Sequence, residues 1–597
     1  MDKPIAEDGK LGLHVHESGT ATIWVSSHPE AWLAVQREVL AHVTHYHLVG
    51  GTSIELPFWE LIPLLPRIQN VRSLFPELVI VVDKRTADLI KRTHRAGQEI
   101  EDVARTAPVS EMDVKRVLNE VGFRRQLTSE QLRNVCRLVA LPHGATFSVP
   151  GAGKTTEALA FYAYKTRLEA RLLVVCPKNA FPAWEEQVAI CLPGKTVTRL
   201  VGADRISTLL AANPEIAVIT YSQLNLVTNA VARYLGNQTS MMFLDESHKI
   251  KGGEQRAWAS AALAVSHLPQ WKLIMSGTPM PNDPSDLLPQ LRFLYPNLPP
   301  DIDPIPAMQR VYVRTTKAEL RLPEVKSHGT PIPLTDAQAH LYRLCATEVA
   351  RDGEKALRSQ DRNALRAFGR SYMLLLQIVS NPSLLAPYGG RFQSADLIQC
   401  LQSDSPKIAY ACYRARELAA KGHKSIIWSG FVQNVEIIAE RLADLGADYI
   451  HGEVEAGSEE EEHTREGKIR RFRKDDDSMV LVANPAACSE GISLHSICHH
   501  ALYVDRNYNA AQFLQSQDRI HRLGLEPGTL TYIEYLYSPG TIDDSVIRRL
   551  GFKIQQMETA LRDPSINLPT HWRDDLDELP DGEDIRDLLQ TLRGNAV

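Results

Sequence analysis

Three groups of side chains suited to phosphate chemistry lie far apart along a chain of 597 residues. The first is "FSVPGAGKTTEALAFYAY", a strand, a glycine-containing turn and a helix in succession. Gly151 and Gly153 let backbone approach phosphate oxygens, and the N–H groups at the following helix start point at an anion. The run Gly151, Ala152, Gly153, Lys154, Thr155 and Thr156 is the expected cofactor-binding segment. Lys154 would reach the β- and γ-phosphates of a nucleotide, and the Thr155 hydroxyl would hold Mg²⁺. The second group is "MMFLDESHKIKG", where an apolar strand ends in Asp245 and Glu246. Asp245 would hold the same metal ion, and Glu246 would orient and polarise an attacking water. The third is "QSQDRIHRLG", in which Arg519 and Arg522 would share one face of a helix. Alone, that pair describes a solvated charged face; with a nucleotide nearby, it describes a two-pronged grip on phosphate.

The elements that must carry these groups are legible in the hydrophobic pattern. From about residue 129, apolar segments "ATFSVP", "LLVVCP", "IAVITY", "MMFLDE" and "KLIMSG" alternate with helical ones, the signature of a parallel, helix-covered sheet. After a helical stretch from about 333 to 385, a second set follows: "KSIIWSG", "ADYIHG", "MVLVAN", "HALYVD" and "LTYIEYLY". Residues 11 to 85 read as a small α+β unit with a hairpin turn at Gly50-Gly51. The expected fold is therefore α/β, with two parallel-sheet lobes, a helical insertion between them and a small α+β domain in front. Boundaries fall at 1–120 for the accessory domain, 121–325 for the first lobe, 326–400 for the insertion, 401–550 for the second lobe and 551–597 for an acidic helical tail. The last of these, "HWRDDLDELPDGEDIRDLL", reads as a solvated helix without chemistry.

Composition narrows the function classes. A formal net charge of −6 gives no global basic field, so any nucleic-acid surface has to be a local patch. "RVYVRTTK" and "IRRFRK" are the candidate patches, each equally readable as a solvated face. Eight cysteines without a C-x-x-C pair argue against a zinc ribbon and a disulfide framework. The histidine groups His42, His45, His47 and His495, Cys498, His499, His500 lie in short apolar stretches without standard ligand spacing, so no zinc site is expected. The opening "MDKPIAEDGK" has no secretory character, and no apolar run reaches membrane-span length. A soluble, cytoplasmic protein without membrane association is the expectation.

With the segments in this order, the sequence resembles the Swi/Snf family of superfamily-two helicase-type ATPases from about residue 122 to 550. Gln131 in "LTSEQLRNV" resembles the family's adenine-reading glutamine, and "DESHKIKG" its DExH box followed by Lys251. "SGTPMPNDPSDL", with Ser276 and Thr278, is similar to the third motif, which His248 would couple to nucleic acid. "VRTTKAELRLPEVKSHGTPIPLTDAQAHLY" is similar to the arginine-rich junction that sets Swi/Snf members apart. "SEGISL", with Gly491, resembles the fifth motif and "QSQDRIHRLG" the sixth. Two departures mark a divergent microbial or viral branch: "SVPGAGKT" has Ser148 where the Walker pattern has glycine, and Leu525 stands where the sixth motif closes with glutamine. "VTHYHLVGGTSIELPFWELIPLLPRI" is similar to HARP-type modules of annealing helicases, and is equally readable as a cap on the motor.

The resemblance implies that both parallel-sheet lobes are RecA-like, with ATP and Mg²⁺ as cofactors, double-stranded or branched DNA as partner, and protein partners in a repair or defence complex. Arg519 and Arg522 would neutralise charge on the transferred phosphoryl group, and Gln515 would orient their segment. Movement along double-stranded DNA is the leading expectation; unwinding or annealing of branched DNA or RNA is the alternative.

Overall fold

The computed structural model describes residues 9–594 except 17–19, 44–45, 85, 89, 92–105, 252–256, 297, 299–301, 324, 360–361, 389–394, 403, 456, 458–459, 486–493, 523, 527 and 564–581. The chain divides into two compact units. One comprises Met1–Pro279 and Pro284–Thr315, the other Met280–Asp283 and Thr316–Val597.

In the first unit, a small sheet runs in the order β3-β4-β2-β1-β5. Its strands are β1 (Lys10–Val15), β2 (Thr20–Ser26), β3 (His47–Val49), β4 (Ser53–Pro57) and β5 (Val79–Val82). Pairing is antiparallel except for β5 on β1. The hairpin expected at Gly50-Gly51 joins β3 to β4, and Gly50 takes the positive φ of 62° that the turn requires. Two helices, Pro29–His42 and Phe58–Leu74, complete this α+β unit.

The same unit holds a seven-stranded sheet in the order β12-β6-β11-β10-β7-β9-β8. The strands are β6 (His143–Thr146), β7 (Arg171–Val175), β8 (Val197–Arg199), β9 (Ile216–Ile219), β10 (Ser240–Asp245), β11 (Trp271–Met275) and β12 (Tyr312–Val313). All its pairs are parallel. β9 and nearly all of β7 and β10 are buried, which is why these segments read as unbroken apolar runs rather than alternating ones. Val114 and Leu118, on the helix Glu111–Glu120, belong to the same core as Leu172, Val174 and Phe243. That helix therefore packs on the seven-stranded sheet although it precedes the first of its strands.

The second unit holds a six-stranded sheet in the order β13-β18-β17-β14-β16-β15, again parallel throughout. Its strands are β13 (Val325–Pro331), β14 (Ser425–Trp428), β15 (Asp448–Ile450), β16 (Val480–Ala483), β17 (His500–Tyr503) and β18 (Thr531–Tyr537). The stretch expected as a helical insertion opens with β13, an edge strand of this sheet, before the helices Asp336–Ser359, Arg362–Ser380 and Ala395–Gln402.

The C-terminal helix, Gly582–Gly594, is not the solvated element its acidic sequence suggests. Ile585, Leu588 and Leu589 are buried, and Leu589 meets the position where a side chain on Gly353 would stand. Asp584 is fully buried and accepts hydrogen bonds from Lys553 Nζ at 2.8 Å and Arg549 Nε at 2.9 Å, both on the helix Ile542–Leu561. The acidic residues were read as solvent-facing because their partners lie some thirty positions earlier in the chain. Replacing one member of a buried pair leaves the other charge uncompensated. Lys553→Met should therefore lower stability by about 3 kcal/mol in urea denaturation, at the low end of the usual range because Arg549 still faces the carboxylate.

Candidate functional site

Three loops converge at the carboxyl edge of the first parallel sheet, because the strands that deliver them are consecutive neighbours. β6 leads into the phosphate loop, β11 into Ser276-Gly277-Thr278, and β10 ends in Asp245. The register aligns Thr146 with Met275 and Met275 with Asp245, so the three strands end level. Adjacent strands lie about 4.8 Å apart, so the loops leave the sheet side by side. Ligands of open α/β sheets bind at this edge.

The phosphate loop is shaped by its glycines. Gly151 and Gly153 both adopt φ of 87°, and a side chain at Gly153 would stand 2.3 Å from Gln131 Nε2. The helix Lys154–Thr166 starts at Gly153 without a side-chain cap, which leaves its first N–H groups open to an anion. Lys154 Nζ donates to the Ser148 carbonyl at 2.9 Å. Thr155 is partly exposed, whereas Thr156, expected in the same binding run, is buried and turns its hydroxyl to Gln187 at 3.3 Å. The reason is helical geometry: successive side chains on the first turn face different directions. Gln131 forms a capping box with Thr128, and its Nε2 donates to the Ala152 carbonyl at 2.9 Å, so it joins the preceding helix to the loop.

Ser148, the departure from the Walker pattern, has a physical explanation. It is fully buried, and its hydroxyl takes part in a polar network beneath the loop. Thr146 Oγ1 lies 3.2 Å from Ser148 Oγ, and the Thr315 N–H donates to the same oxygen at 3.0 Å. Glu157 lies within the network, accepting from Thr146 Oγ1 at 2.6 Å and from Asn134 Nδ2 at 2.8 Å. Burial raises its carboxyl to about 7 against those hydrogen bonds and the charges of Lys154 and Arg133. Sequence reading missed Glu157, Asn134 and Thr315; three polar residues at helix or strand positions expected to be buried were the available signal.

Asp245 is held on several sides. Its carboxylate accepts from Trp184 Nε1 at 3.1 Å and from the Glu246 N–H at 3.0 Å, and its carbonyl accepts from Tyr221 Oη at 2.7 Å. Glu246 occupies the left-handed region at φ 51°, an uncommon conformation for a residue with a side chain. His248 Nδ1 lies 3.1 Å from Ser276 Oγ and 3.4 Å from Glu246 Oε2. Burial, with Lys249 and Lys251 nearby, pushes the imidazole well below its usual range. It is therefore neutral, and its approach to Glu246 is a polar contact rather than an ion pair. Ser276 Oγ also accepts from the Thr278 N–H at 3.1 Å, so His248, Ser276 and Thr278 are hydrogen-bonded in a row beside Glu246. Gly277 permits the close packing of this turn on Pro150 of the phosphate loop.

In the second unit, the helix Ala510–Gln517 ends before the two arginines. Arg519 and Arg522 lie in the turns that follow rather than on the expected helix face. Asp518 caps the helix, and the His521 N–H still bonds to the Gln517 carbonyl at 2.9 Å, which preserves a helical spacing. Gln515 and Arg519 are buried, with Arg519 Nε donating to the Gln515 carbonyl at 3.0 Å. Burial lowers the Arg522 guanidinium from its usual range, and its Nε has no hydrogen-bond partner among the described residues. Gly491 lies outside the described residues. The candidate DNA patches are partly committed elsewhere: Arg314 donates to the Phe147 carbonyl, Lys317 pairs with Asp518 and Arg471 with Asp448. Among the described residues, no group of three or more His, Cys, Asp or Glu side chains is arranged to hold a metal ion by itself. No described helix is long and apolar enough to cross a membrane.

Residues 146–300 match the SNF2-related domain, and residues 407–524 match the helicase conserved C-terminal domain. The chain thus contains an SNF2-related domain followed by a helicase conserved C-terminal domain. The SWI/SNF-related matrix-associated actin-dependent regulator of chromatin subfamily A-like protein 1 of Xenopus laevis is 23% identical over 88% of this chain and 53% of its own length. Its Caenorhabditis elegans homolog is 22% identical over 66% of this chain and 56% of its own, and CHROMATIN REMODELING 4 of Arabidopsis thaliana is 22% identical over 64% and 18%. The chain thus spans about half or less of these curated relatives. Among solved structures, the Sulfolobus solfataricus SWI2/SNF2 ATPase core in complex with dsDNA aligns over 78% of this chain and 97% of that chain, at 21% identity and a TM-score of 0.32.

The raised carboxyl of Glu157 predicts a pH-dependent stability for the SNF2-related domain. Between about pH 4.5 and pH 7, the folded carboxyl keeps a proton that the unfolded chain has released, so stability falls as pH rises through that window. Glu157→Gln removes the titration. In urea denaturation the variant should lose less stability between pH 5 and pH 8 than the parent, by on the order of 3 kcal/mol. Parallel pH profiles would assign the dependence to another group.

Proposed function

We propose that this protein hydrolyses ATP with Mg²⁺ and uses the cycle to move along double-stranded DNA. The observation that carries the reading is the level ending of β6, β11 and β10, which brings a glycine-shaped anion loop, a serine–threonine turn and an Asp-Glu pair to one sheet edge. The donor set suits a magnesium nucleotide. Thr155 and Asp245 would hold the ion, which supplies neutralisation of phosphate charge when bound.

In this reading, the phosphate-loop N–H groups and Lys154 bind the β- and γ-phosphates, and Gln131 serves the adenine end. Glu246 orients the attacking water and receives its proton. The left-handed backbone at Glu246 aims that carboxylate, and neutral His248 links it to Ser276 and Thr278. Arg519 and Arg522 stabilise charge on the γ-phosphoryl group in the transition state, with Gln515 positioning Arg519 through its carbonyl. Arg522 Nε, half-buried and without a hydrogen-bond partner among the described residues, fits a group kept for a ligand. DNA would be gripped by its phosphates without base reading. The relatives named for chromatin regulation support the DNA substrate, and ZRANB3 of Homo sapiens, 21% identical over 69% of this chain, is called a DNA annealing helicase and endonuclease.

Glu246→Gln should bind ATP with parental affinity and lose turnover; parental ATPase in that variant would remove Glu246 from the role. Arg522→Ala should retain nucleotide binding and lose about 10³-fold in turnover. ATPase stimulation should rank double-stranded DNA above single-stranded DNA and RNA, and the enzyme should displace a third strand from a triplex without separating a duplex. Strand separation without triplex displacement would favour an unwinding enzyme instead.

A further inference from the structure

The helix Phe181–Cys191 supplies none of the residues assigned to phosphate chemistry, yet two of its side chains reach the segments that carry Thr155 and Asp245. Its buried residues Phe181, Trp184, Val188 and Cys191 recur at spacings of three and four, so one stripe faces the core of the seven-stranded sheet. Pro182 stands in the first turn, where a missing N–H is harmless. Trp184 is 1% exposed, and its ring lies against Phe243 with centroids 6.3 Å apart. Phe243 precedes Asp245 by two residues on β10, so the strand that presents the carboxylate also packs the indole. A tryptophan N–H can only donate, and a buried one ordinarily takes a partner. The partner here is Asp245 Oδ2, at 3.1 Å.

One turn further along, the same helix is fastened to the phosphate-loop helix. Gln187 Oε1 accepts from Thr156 Oγ1 at 3.3 Å and from Arg125 Nη1 at 2.6 Å. Thr156 directly follows Thr155 in the first turn of the helix Lys154–Thr166. The indole therefore keeps one position relative to both groups assigned to the ion. On Asp245, the Trp184 N–H engages one carboxylate oxygen and the Glu246 N–H engages the other. Two donors, one on each oxygen, fix the rotation of the carboxylate plane and with it the directions in which its lone pairs point.

Hydrogen bonds of this kind to a ligating carboxylate orient it, and their loss lowers metal affinity by about 10- to 100-fold. We propose that Trp184 is a positioning residue for Mg²⁺: its indole N–H holds Asp245 in the orientation that receives the ion. Trp184 touches neither nucleotide nor metal in this role. The proposal rests on the ATP-turnover reading above, in which Thr155 and Asp245 hold the ion.

The test uses the full chain with β,γ-imido-ATP and Mn²⁺, whose binding is read directly by electron paramagnetic resonance. Trp184→benzothienylalanine keeps the shape of the indole and replaces its N–H by sulfur, so the packing survives and the donor is lost. Trp184→Phe removes the donor with a smaller ring. In both variants Mn²⁺ affinity should fall about 10- to 100-fold, while affinity for the nucleotide without metal stays within about twofold. The Mg²⁺ concentration that gives half-maximal ATPase should rise by the same factor. If Trp184→Phe does not fold, the benzothienyl variant decides. Parental Mn²⁺ affinity in that variant overturns the proposal. So does an equal loss of nucleotide affinity with and without metal, the sign of a purely structural role. A parent that binds no Mn²⁺ in the presence of the nucleotide sinks the functional reading itself, so the two failures are distinguishable.

Discussion

A loop that offers its backbone N–H groups to a ligand has to be held from beneath, and here the support is polar. Ser148, Thr146, Asn134, Glu157 and Thr315 form a buried network directly under the phosphate loop. Each buried polar atom left unpartnered would cost on the order of 1–3 kcal/mol, so the members constrain one another's positions. A glycine at 148 would remove the oxygen that receives the Thr315 N–H. Ser148 is thus tied to the way the chain leaves the first unit, and the loop's shape and the chain's exit are one structural problem.

The second unit solves a similar problem with charge. Asp505, buried after β17, accepts from Ser429 at 2.5 Å, from Ser380 at 2.7 Å and from the Gly430 N–H at 2.7 Å. Ser380 ends a helix of the inserted region, whereas Ser429 and Gly430 follow β14. One carboxylate therefore fastens the helical region to the loops at the carboxyl edge of the second sheet. Lys407 and Asp543, 2.7 Å apart and almost wholly buried, do the same for the helix Ile542–Leu561. Breaking such a pair costs more than the pair contributes, which favours a single arrangement of these helices over near alternatives.

How much of this was legible in the sequence follows from the range of the interactions. Gly151, Lys154, Asp245 and Glu246 stand at strand ends that apolar runs announce, and parallel order follows from the alternation of strands with helices. Both sheets are found at the expected places. The turn at Arg519 follows Asp518, which caps the helix and pairs with Lys317 about two hundred residues away, a partner no local pattern announces. The buried C-terminal helix was hidden for the same reason: Asp584 reads as solvated until Lys553 and Arg549 are beside it. Local pattern reveals elements, whereas pairings across long sequence separations decide which polar residues are internal.

That distinction bears on how DNA would be held. Basic stretches chosen from sequence are an obvious place to look for phosphate contacts, yet Arg314, Lys317 and Arg471 have partners inside the fold. Lys468 in the same helix as Arg471 lies over the Tyr449 ring at 3.5 Å. With these cations paired, the two basic stretches offer less free positive charge than their sequences suggest. Backbone N–H groups and hydroxyls at loop ends provide the alternative, because they bind phosphate by geometry rather than by accumulated charge. A grip of that kind releases fewer counterions, so its affinity falls less steeply with salt than that of a lysine-rich surface.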